Sequence, residues 1–123
     1  MPTDPEPVTL ATVVQRAVAA VDPEGHAGLE DLLERFEDDD EPLGGYRAEI
    51  ASQRIAEEAG KLDPQAEDPA VQLAAAVATY LAFRTDEVDE QPGELLVLAA
   101  RAEFEGHPPD DVRALLAERG VEL

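Results

Sequence analysis

Few of the 123 residues have side chains suited to catalysis or metal binding. There is no cysteine, which excludes disulfides, thiolate metal sites and thiol catalysis. Ser52 is the one serine; it falls in a stretch that reads as helix, with no strained nucleophile turn around it and no histidine near it in sequence. Lys61, the one lysine, follows Gly60 and reads as an exposed cation rather than a Schiff-base amine. His26, Glu30 and Glu34 are spaced i, i+4, i+8, so on a helix they share one side and could offer a metal trio. The expectation is a solvated edge beside a leucine stripe. His107 precedes Pro108 and Pro109 and reads as a turn or capping residue. The acid runs 37–41 and 86–90 are rich in oxygen ligands. Neither has the alternate acids, central glycine and closing glutamate of a calcium loop, so both read as solvated surface.

The stretch 54–59, RIAEEA, resembles part of the motif of small all-α nucleotide pyrophosphohydrolases, which hold magnesium on paired carboxylates of core helices. The resemblance implies magnesium-dependent hydrolysis of a nucleotide or pyrophosphate, with Glu57 and Glu58 as ligands and Glu94 as the nearest acid inside a following helix. That family also needs carboxylates on the facing helix, and residues 69–83 contain none. No glutamate has a histidine three residues later, so the ferritin-like di-iron pattern is missing too. The expectation is therefore no catalytic residue, no metal site and no cofactor, with the magnesium-dependent enzyme as the alternative.

The elements that position these residues read as helices. Residues 69–83, PAVQLAAAVATYLAF, are apolar nearly all the way round a helix, broken by Gln72 and Thr79. Such a helix belongs in the middle of a bundle. Asp68 is a good N-cap for it and Pro69 suits its first position. Residues 8–21 place Leu10, Val13, Val14, Ala17, Val18 and Val21 at helical spacing, stopped by Asp22-Pro23. Residues 27–37 carry Leu29, Leu32, Leu33 and Phe36 as one stripe. Residues 46–60 have a thin face of Ala48, Ala51, Ile55 and Ala59, with Gly60 read as the cap. Residues 92–104 point Leu95, Leu96, Leu98, Ala99 and Ala102 inward, and Gly106 ends them. The last helix starts at Pro108-Pro109, buries Val112, Leu115 and Leu116, and ends at Gly120 in a Schellman motif with Val121. No stretch alternates with period two and no repeat recurs. The fold expected is all-α: about six short helices wrapped around a central apolar helix at 69–83, with residues 1–7 a disordered lead and 8–123 one domain.

Twenty-nine acidic residues against nine basic ones give a formal net charge of −20. At low ionic strength such a surface repels itself, whereas at 1 M salt the Debye length is only ~3 Å. Carboxylates in excess, alanine in plenty and a single lysine resemble the proteins of salt-in halophiles, the haloarchaea especially; a high-GC actinobacterial origin would also favour arginine over lysine and supply much alanine. A nucleic-acid partner is not expected, because nothing forms a basic patch to neutralise phosphates. A 15-residue apolar run falls short of the ~20 needed to cross a bilayer, and the start of the chain carries no leader pattern, so a cytoplasmic protein is expected. The function expected is protein–protein contact or self-association as a homodimer, with the third helix and the valine-rich first helix as candidate surfaces, because six amphipathic helices carry more apolar stripe than one central helix can cover. Acids scattered over every loop and outer face favour salt adaptation over mimicry of nucleic acid.

Overall fold

A computed structural model describes residues 9–25, 28–38, 47–65, 67–84, 91–105 and 107–121. The expected disordered lead at 1–7, His26, Gly44-Gly45, Gly106 and the acid run 86–90 lie outside the described residues.

The described residues form six helices: α1 (Leu10–Val21), α2 (Glu30–Phe36), α3 (Arg47–Leu62), α4 (Pro69–Phe83), α5 (Pro92–Phe104) and α6 (Asp110–Glu118). Helix α4 packs against α1, α3, α5 and α6, while α2 lies on α1 and α3. The core is one continuous cluster drawn from all six helices, built on Phe36, Leu32, Ile55, Leu73, Leu81, Leu95, Leu96 and Leu116. No described helix is long and apolar enough to cross a membrane.

The start of α4 follows its sequence signals. The Asp68 carboxylate accepts from the backbone N–H groups of Ala70 (3.0 Å) and Val71 (3.5 Å), and Pro69 occupies the first turn. Such a cap contributes ~1 kcal/mol. The end of α6 follows them too. Gly120 has φ +79°, its N–H donates to the Ala117 carbonyl, and the Val121 N–H donates to that of Leu116 at 2.9 Å. Val121 is buried there, as the Schellman motif requires. Arg119 adds a long-range tie, its Nε donating to the Val21 carbonyl at the end of α1.

Several boundaries differ from expectation. Helix α1 starts at Leu10, because Thr9 caps it by accepting from the Thr12 N–H at 3.2 Å. Helix α2 begins only at Glu30, with Gly25 and Gly28 before it in the left-handed region. Gly60 does not cap α3, which runs on to Leu62; half-buried Leu62 packs on the core, and the Asp63 carboxylate takes the N–H groups of Glu67 and Asp68 at 2.9 Å each. Helix α5 turns out through Glu105 at φ +54°, and Ala102 is exposed rather than inward, with Ala100 buried in its stead. Pro109 precedes α6 instead of opening it.

Candidate functional site

The residues with conventional chemistry are dispersed. Glu58, on α3, is held by two cations: Arg35 Nη1 of α2 donates to its Oε2, and Lys61 Nζ donates to its Oε1 at 3.2 Å. These bonds, Arg35's first, keep the Glu58 carboxyl below the usual carboxylate range. Arg54 lies over the Phe36 ring at 5.4 Å, a second tie between α3 and α2. Glu57 is exposed, and Glu94 stands exposed in the first turn of α5, beside a separate groove with Val97, Leu98 and Val121. Among the described residues no three histidine or carboxylate side chains come together in a way that could hold a metal ion. Glu30 and Glu34 are exposed on α2. Ser52 is half-buried inside α3. His107 is exposed, and its backbone N–H closes the turn after α5 on the Phe104 carbonyl at 2.8 Å. Of the acid run 37–41, Glu37 and Asp38 are described and exposed.

Helix α4 is not covered on every side, contrary to the expectation of a fully wrapped rod. Ten of its residues are buried, but Pro69, Gln72, Ala75 and Thr79 are half-buried and Phe83 is 50% exposed. At ~100° per residue, positions 72, 75, 79 and 83 fall within an arc of roughly 80°, so they form one line along the helix. Four helices packed directly on a fifth leave that line open between α3 and α5. There the surface sinks into a groove of about 330 Å³. Gln72, Ala75, Ala76 and Thr79 form its floor, Ala56, Ala59 and Gly60 one wall, and Glu103 and Phe104 the other.

The groove's electrostatics are one-sided. Asp63 and Glu103 are the charged residues lining it, and both are acids. The oxygens of Asp63 already accept two backbone N–H groups. Glu103 is pushed up from the usual carboxylate range by the partial burial of its carboxyl. The open line ends at Phe83. Ile50, 51% exposed, is not part of it: at ~100° per residue it stands roughly 130° round α3 from the groove-lining Ala56, Ala59, Gly60 and Asp63.

The valine-rich face of α1 is not available as an interface, because Val13, Val14, Val18 and Val21 are all buried. On α3, among the described residues, the large apolar side chain left exposed is Ile50. The residues that sequence reasoning missed are Glu103, Phe83 and the floor of the groove. Their signal was present, since Gln72 and Thr79, the polar interruptions of the apolar run, mark the open side seven residues apart.

Comparison with known protein families, curated proteins and solved structures finds no match to this chain.

Proposed function

We propose that this chain is a salt-adapted interaction protein whose work is done by protein–protein contact along the open side of α4, not by catalysis. The observation that supports this reading is the uncovered face of an otherwise buried helix, which lines a groove and ends in a large exposed apolar side chain, Phe83. Monomeric proteins do expose single apolar residues. Here, however, Phe83 continues the line of a groove floor, and a groove is the usual form of a helix-accepting surface. The charge of −20 with a single lysine supports the salt adaptation.

A photo-activatable residue placed at Thr79 and, as a control, at exposed Glu30 tests the reading in cells at their native salt. The result expected is one dominant protein adduct from position 79 and none from position 30, with the adduct's partner, identified by mass spectrometry, re-forming the complex when both proteins are purified. Equal labelling from both positions, or none from position 79, refutes it. A saturable rise in melting temperature with magnesium, lost in Glu57→Gln, would favour a hydrolase instead.

A further inference from the structure

Resting on that protein-contact reading, we infer that the occupant of the α3–α4–α5 groove is an amphipathic helix of another protein whose apolar face is flanked by Lys or Arg. The open line from Gln72 to Phe83 covers about 17 Å, three helical turns, so a partner helix of some 12–15 residues matches it. Its apolar side chains, spaced i, i+3, i+7 and i+10, would follow the line and meet Phe83 at its end. The walls allow a close approach, since a Cβ built on Gly60 meets nothing within 4 Å.

Charge selects the partner. The residues lining the groove include two acids and no cation. With the Asp63 oxygens engaged by backbone, Glu103 is the carboxylate facing an incoming helix. A lysine or arginine beside exposed Glu103 would pair with it at the rim. A second copy of this chain is the poorer occupant: a like face would bring Asp63 and Glu103 into contact with acids and offer them no cation.

The test uses the full chain in 1 M potassium chloride and two synthetic fluorescent peptides. Both are 15-residue amphipathic helices with the same leucine and alanine face, one with lysine flanks and one with glutamate flanks. Fluorescence anisotropy should show the lysine-flanked peptide binding ~10-fold or more tightly than the other. Thr79→Arg, which fills the groove with a cation, should weaken that binding ~10-fold, and Glu103→Gln, a surface change that leaves packing alone, ~3-fold. Circular dichroism confirms that each variant is folded. Equal binding of the two peptides, or binding untouched in folded Thr79→Arg and Glu103→Gln, overturns the inference. Sedimentation velocity showing a dimer that Thr79→Arg dissolves also overturns it, assigning the groove to a second copy. Those results leave the protein-contact reading standing. If neither peptide binds, the chain stays monomeric and position 79 forms no adduct, both fall.

Discussion

Replacing alanine by leucine along α4 distinguishes its covered faces from its open one by stability alone. Ala74 and Ala78 are 0% and 1% exposed, enclosed by neighbouring helices. Leucine at either site must push those neighbours apart, and overpacking a close-packed core costs about 1–3 kcal/mol. Ala75 lies between them in sequence but on the open line, where the added atoms extend into the groove of about 330 Å³. Ala75→Leu should therefore cost no more than the few tenths of a kcal/mol by which leucine trails alanine in helix propensity. Unfolding entropy of ~2.1 cal/mol/K per residue gives ~0.26 kcal/mol/K for a chain of this length, so 2 kcal/mol moves Tm by ~8 °C. Calorimetric melting in molar salt should show Ala74→Leu and Ala78→Leu falling by about 4–12 °C and Ala75→Leu staying within ~2 °C of the parent. A fall for Ala75→Leu as large as that for Ala78→Leu would mean that α4 is enclosed all round, and would refute the groove.

Two glycines should respond to alanine with opposite signs. Gly120→Ala forces a side chain into the left-handed region at φ +79° and should lower Tm by about 4–8 °C, whereas Gly60→Ala, inside α3 with space around it, should raise Tm by about 2–4 °C. Two carboxyls should give opposite pH responses. The folded-state pKa of Glu58 lies below its ordinary 4.5, so the stability contributed by its ties to Arg35 and Lys61 is full above pH 4.5 and lost as pH falls through the lowered value; the Tm gap between the parent and Arg35→Ala should be level from about pH 6 to 8 and close below about pH 4. Glu103 is shifted upward by burial, so stability is gained as pH falls through its raised value, and Glu103→Gln should raise Tm at neutral pH and lose that advantage below pH 4.5. Salt should hold the fold together: helical circular dichroism retained at molar sodium chloride and lost at millimolar is the expected result, and a spectrum unchanged across that range counts against salt adaptation.

The architecture was legible where local signals and packing agree. Asp68-Pro69 announced α4 and Gly120-Val121 announced the end of α6, because a cap is settled by a few adjacent residues. Gly60 misled because glycine also continues a helix, and here packing of Leu62 and the Asp63 carboxylate set the end two residues later. Leu29 to Phe36 gave α2 its stripe, but nothing local told that Glu58 and Arg54 of α3 would fasten it. The RIAEEA resemblance pointed to Glu57 and Glu58 as a pair on one helix. Spacing could not say that Glu58 turns to Arg35 while Glu57 remains exposed. The groove depends on which side of α4 its neighbours leave uncovered, a tertiary fact. Its trace in the sequence, Gln72 and Thr79 on one side of an apolar helix, gains meaning only with the neighbours in place.

The open line of α4 can be measured directly, because the chain has no cysteine to interfere. Single cysteines placed at each position from 71 to 83 would be reacted with a maleimide under folding conditions, and the rates compared with the same variants unfolded. Positions 72, 75, 79 and 83 should react at rates near those of the unfolded chain, while 73, 74, 77, 78 and 81 should be slower by ~100-fold or more, since they react only through opening of the bundle. Protection at 72, 75 and 79 equal to that at 74 and 78 would contradict the open face and remove the surface on which the proposed function stands.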